Sequence, residues 1–152
     1  MANTQAMCTS FMEQLLTGTH NFTPSTGDTF KAALYLASAT VNASTTAYSA
    51  TGEVSGTNYS PGGVNVTNGT SPSSTNTSAT AGTAYWTPSA SITYTNVTLS
   101  TAFDAVLIYN SSKSDKAVSV HTFGSQTVTA GTFTLTMPSN TTSTALLRLA
   151  TT

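Results

Sequence analysis

Charge is what this chain has least of. Asp, Glu, Lys and Arg make 6% of its 152 residues, four basic against five acidic, for a net charge of −1. Four cations cannot neutralise a row of phosphates, so no nucleic-acid partner is expected. The same shortage excludes a polybasic membrane patch. No apolar run approaches the ~20 residues of a membrane-spanning helix, so no membrane is expected. No basic segment followed by an apolar one marks the chain for export. A single cysteine, Cys8, excludes an internal disulfide. His20 and His121 stand without metal-ligand spacing, and there is no phosphate loop, dinucleotide fingerprint or Gly-x-Ser-x-Gly turn. The expectation is therefore no metal, no cofactor, no catalytic residue and no enzyme activity.

Hydroxyls take the place of charge: the chain has 34 Thr and 21 Ser. Thr is β-branched and suits a half-exposed pleated surface, and Ser suits turns. Hydroxyls cost less to desolvate than ions, so such a coat favours contact with neighbours in an assembly. Asn-x-Ser/Thr triplets recur from Asn21 to Asn140. In so Ser/Thr-rich a chain they are expected by chance, and no glycosylation is read from them.

Alternating apolar segments dominate the pattern. Ala105-Val-Leu-Ile-Tyr109 and Lys116-Ala-Val-Ser-Val-His-Thr-Phe123 flank the polar Asn110-Ser-Ser-Lys-Ser-Asp115. They predict an antiparallel hairpin. Gly131-Thr-Phe-Thr-Leu-Thr-Met-Pro138 is expected to be its third strand, with Phe133, Leu135 and Met137 on one face. Residues 29–37 alternate Phe30, Ala32, Leu34 and Leu36 against Lys31, Ala33 and Tyr35, reading as a central strand with a helix as the rival. Residues 40–50 read as a loop, 53–59 as an edge segment, Ser60-Pro-Gly-Gly63 as a sharp turn, and 64–66 as a short strand. In residues 91–99 Ile92 and Tyr94 are out of phase with Val97 and Leu99, which predicts a bulge near Asn96. Residues 144–150 are a closing strand.

The N-terminus supplies one helix, residues 5–17, with Met7, Phe11 and Leu15 in one row and Cys8, Met12 and Leu16 in the next. Thr4 or Thr9 is its candidate cap, and Gly18 suits the residue after its end. Residues 67–83 hold almost nothing apolar and read as a long loop or extended arm. Together these elements predict one mainly β domain, residues 1–152. Its form is an antiparallel β-sandwich of about seven or eight strands with one short N-terminal helix.

Few side chains are chemically versatile. His20 with Asp28 and His121 with Asp104 are the imaginable pairs, both weak for want of spacing. Cys8 reads as a buried thiol. Asp28 reads as a turn cap, and Lys113, Asp115 and Lys116 as ion pairs at a hairpin tip. Tyr85 and Trp86 read as core in preference to a ligand platform.

Framework residues carry a resemblance. Met1-Ala-Asn-Thr-Gln-Ala-Met-Cys-Thr-Ser-Phe11, Leu15-Leu16-Thr-Gly-Thr-His-Asn-Phe22 and Asp28-Thr-Phe-Lys-Ala-Ala-Leu-Tyr35 resemble a family of small virion structural proteins of tailed bacteriophages. Thr46-Ala-Tyr48, Gly52-Glu-Val54, Ala105-Val-Leu-Ile-Tyr-Asn110, Lys116-Ala-Val118, Phe123-Gly124 and Gly131-Thr-Phe133 extend it. The resemblance covers most of the chain except residues 67–83.

It implies a place in the virion, made in the bacterial host cytoplasm. A capsid decoration (cement) protein on the outer head surface fits best. Its partners would be the major capsid protein and neighbouring copies of itself, in a homo-oligomer for which a trimer is one arrangement. A tail or neck subunit (tube, adaptor or fibre attachment) is the first alternative. A carbohydrate-binding adhesion module using Tyr85, Trp86 and Tyr94 is the second. The candidate subunit contacts are Met7, Phe11, Met12 and Leu15 on the helix, Ser71, Pro72, Ser74 and Asn76 in the loop, and Trp86.

Overall fold

The computed structural model describes residues 2–75 and 82–151. Among the described residues the chain is mainly β, with two antiparallel sheets and one short helix, consistent with a β-sandwich. The elements are β1 (Ala6–Met7), α1 (Thr9–Leu16), β2 (Phe30–Leu36), β3 (Val64–Asn65), β4 (Ser73–Ser74), β5 (Thr83–Trp86), β6 (Ile92–Asn110), β7 (Lys116–Leu135) and β8 (Leu147–Ala150). The larger sheet has the order β1-β7-β6-β2-β3 and the smaller β4-β5-β8.

β6 and β7 form one hairpin of 19 and 20 residues. The segments read separately as residues 91–99 and 105–109 are a single strand. The expected third strand is the far half of β7, where Phe133 pairs with Tyr94 and Leu135 with Ile92. Register shifts absorb the changes of phase, one of them between Tyr94 and Val97, where Asn96 takes a φ of 53°. Near the tip, Ala105 to Asn110 and Ala117 to Val120 are buried on both faces, which explains the apolar run from Ala105 to Tyr109; Asn110 and Ser119 are polar residues buried with it. Toward the far end one face is open and Thr alternates with Phe and Leu. The tip is a single 3-10 turn over Ser111–Lys113, capped by the Asn110 side chain, which accepts from Ser112 N.

β2 lies inside the larger sheet, between β6 and the short β3, so Ala and Leu serve a strand there and not a helix. Phe30, Ala32 and Leu34 stand on one face, and Phe30 stacks on Phe22 with centroids 4.4 Å apart. Trp86 from the smaller sheet meets the same Phe22 edge-on at 4.8 Å, joining the sheets through three rings. On the other face Tyr35 bonds the Ser49 carbonyl, and Tyr48 stacks on Tyr109 at 4.8 Å. The turn at Ser60 to Gly63 closes as expected, with Gly63 N on Ser60 O and Gly62 and Gly63 at positive φ.

α1 is shorter than residues 5–17. Ala6 and Met7 instead pair with Val120 and Ser119, where an unfilled sheet edge offers more hydrogen bonds than a first helical turn would. Cys8 occupies the cap position without a side-chain capping bond, its thiol instead donating to Asn42 O, so neither Thr4 nor Thr9 caps the helix. Gly18 fulfils its expectation: it lies at φ 66° and donates to Leu15 O, while Thr19 N reaches Gln14 O, a Schellman ending.

The described part of residues 67–83 is tied down and is not an extended arm. Ser73 and Ser74 pair with β5, Gly69 N donates to Ser89 Oγ, and Asn68 Nδ2 donates to Phe22 O. Backbone and amide bonds here replace the apolar contacts the segment lacks. The candidate contact Asn76 lies outside the described residues.

Candidate functional site

Beside α1 the surface opens into an apolar groove of about 160 Å³. Its floor is Phe11, Phe22 and Trp86. Met7 and Leu15 form the wall on the helix side, and Pro72, Ala84, Tyr85, Leu147 and Leu149 form the wall on the smaller sheet. The helical repeat makes this arrangement: Phe11 is buried, Leu15 follows one turn later, and Met12 and Leu16 fall on the next row outward. Trp86 is fixed at the bottom because its indole N–H donates to Asn68 Oδ1 and Thr70 O. No lining residue is ionisable except through the Tyr85 phenol.

Of the exposed large hydrophobics among the described residues, Leu149 lines the groove, and Met12 and Leu16 follow its lining residues Phe11 and Leu15 on α1. Leu16 is 91% exposed, while Met12 and Leu149 are each 44% exposed. Exposed apolar residues grouped on one element beside an apolar groove mark a contact surface more often than a free one.

Of the candidate contacts, Met7, Phe11, Leu15, Pro72 and Trp86 converge on the groove, and Met12 lies exposed beside it. Phe11 and Trp86 are 2% and 3% exposed, so they form a floor and not a protruding contact surface. Ser71 and Ser74 are exposed and do not line the groove. Phe22, Ala84, Leu147 and Leu149 escaped the sequence reading, which assigns Tyr85 to the core or to an adhesion surface and not to the subunit contacts. The alternation of Leu147 and Leu149 was a usable signal, since both point one way from a short strand. Of the three aromatic residues of the adhesion alternative, Trp86 and Tyr94 are buried and Tyr85 is half-buried at the groove wall.

His20 and Asp28 do come together, through Asn110. The Asn110 amide nitrogen donates to His20 Nδ1 at 2.9 Å and to Asp28 Oδ2 at 2.8 Å. Asn110 Oδ1 accepts from Ser112 N, which fixes the amide orientation. His20 Nδ1 is therefore an acceptor, and Nε2 carries the proton toward Gln14 Oε1 at 2.7 Å. Burial lowers the His20 pKa, opposed by Asp28 and aided by Lys116 and Lys113. Burial alone would raise the Asp28 carboxyl, but bonds from Asn110 and the Asn21 amide, with Lys113, outweigh it and hold the carboxyl low. Lys113 pairs with Asp28 at 3.6 Å and not within the hairpin tip. This network ties α1, the turn of residues 21–28 and the hairpin tip into one body.

His121 and Asp104 are not joined. His121 Nε2 meets Ser119 Oγ at 2.9 Å, and burial lowers its pKa to about 4. Asp104 accepts from Asn3 Nδ2 at 2.6 Å. Sequence reading also missed Glu53, which accepts from the Tyr48 and Tyr59 hydroxyls and the Gly62 amide. Among the described residues no three His, Cys, Asp or Glu side chains are grouped as they would be to hold a metal ion. No family model, no curated protein and no solved structure matches the chain.

Proposed function

We propose that the chain is a virion structural protein of a tailed bacteriophage, a decoration subunit that cements the head by binding the major capsid protein and copies of itself. One observation carries the reading: an uncharged apolar groove, with Met12, Leu16 and Leu149 exposed around it, on a rigid β-scaffold. Such a face loses free energy to water until another surface covers it. The hydroxyl-rich exterior adds contacts that are cheap to desolvate, and closed symmetry repeats each of them in every subunit. The resemblance of the framework residues supplies the virion.

Quantitative mass spectrometry of purified particles tests the proposal. Decoration predicts copies in the hundreds, near the number of capsid subunits, whereas a neck or tail ring predicts roughly a dozen. Filled heads made without the protein should also break at lower temperature than intact ones. Absence from particles, or heads of unchanged heat resistance, overturns the cement reading.

A further inference from the structure

We propose that the groove is closed by a second copy of this chain, paired about a two-fold axis so that Leu16 of each copy enters the groove of the other. The inference rests on the reading of this face as an assembly surface and names its partner.

The groove residues carry no ion, and the one charge on α1 is Glu13. A partner presenting cations or carboxylates here would lose their hydration and gain no counter-ion. An uncharged apolar face avoids that cost, and this chain presents one itself. A two-fold contact uses the same patch on both subunits, so that patch must contain both a projection and a recess. Leu16, 91% exposed on the last turn of α1, is the projection, and Met12 one turn earlier broadens it. The recess begins at the adjacent Leu15 and measures about 160 Å³. An apolar cavity of about 150 Å³ admits a benzene-sized group, so a leucine side chain fits. The exposed Leu149 on the far wall meets the incoming helix.

Sedimentation equilibrium of the purified full chain tests the contact. The wild type should be a dimer in the micromolar range. Leu16→Glu, which removes the projection, and Ala84→Arg, which blocks the recess, should each weaken it about a hundredfold or more. Both positions are solvent-exposed, so the folded state survives, as an unchanged melting temperature will show. Mixing the two variants should restore a dimer, because one half of the contact is native and the other sets Glu against Arg. A wild-type monomer, a trimer, or variants that dimerise undiminished would overturn the proposal. A monomeric chain found in particles would sink the two-fold contact alone, whereas a dimer absent from particles would sink the virion reading alone.

Discussion

Tyr59 donates its hydroxyl hydrogen to Glu53 Oε1 at 2.8 Å, and its phenol oxygen accepts from the Leu34 amide at 2.9 Å. β3 pairs with β2 only at Lys31 and Ala32, so Leu34 N–H faces an edge where the neighbouring strand has ended. The phenol stands in for the missing carbonyl. Burial first, then Tyr94 and the charge of Glu53, push the Tyr59 hydroxyl well above its ordinary pKa against the lowering bond from the Leu34 amide, so it stays a donor.

Glu53→Ala should therefore be costly although Glu53 lies in a loop. It orphans the Tyr48 and Tyr59 hydroxyls and the Gly62 amide together. The expected loss is roughly 2–4 kcal/mol in urea unfolding, with Glu53→Gln losing less because it keeps one acceptor. An alanine variant within about 0.5 kcal/mol of wild type would show that water replaces the carboxylate.

Cys8 has no exposed surface, and burial raises its thiol pKa from 9.0 to about 11. A thiolate is the reactive form, so the native protein should resist a disulfide reagent near neutral pH and react at the rate of unfolding. Fast labelling of the native chain would contradict the packing around α1.

Much of this fold was legible where the two faces of an element differ or a turn residue marks its end. β2 declared itself by alternation, the bulge at Asn96 by a slip in phase, and the helix end by Gly18. What failed was connectivity. A bulge and a turn leave the same local trace, so the bulges of β6 and β7 made two long strands look like several short ones. The smaller sheet, with strands of two and four residues, is too short to show a period. The groove was half legible: the α1 row found Met7, Phe11 and Leu15, but the facing wall depends on that sheet. The bond from Asn110 to His20 spans 90 positions, and no local pattern reports it.

Gly63 marks a backbone approach that admits no side chain. It takes a φ of 72°, and a Cβ there would strike the Ala32 carbonyl oxygen. Gly63→Ala must move β3 off β2 and should cost at least about 3 kcal/mol. Gly18→Ala, with a φ of 66° but open space around it, pays only for conformation and should cost about 1 kcal/mol. Comparing their melting temperatures separates collision from torsion, and equal losses would remove collision as the cause.

Acid should destabilise the chain through its two histidines before its carboxylates respond. Burial holds the His121 pKa near 4 against an ordinary 6.5, and His20 is lowered too. The unfolded chain therefore binds protons that the folded chain refuses. Stability is full above pH 6.5 and falls with pH until the folded value is reached. At His20 the geometry gives the reason: a proton on Nδ1 would face the Asn110 N–H that it now accepts from. Asp28, held low, keeps its contribution until the pH drops through its own folded value. The urea midpoint should decline steadily from pH 7 to 4.5, with His121 accounting for roughly 3 kcal/mol at most. His121→Asn should flatten that slope while leaving the bond from Asn110 to His20 in place. A midpoint constant across this range, or a variant with the wild-type slope, would mean the ring takes up its proton without leaving the fold.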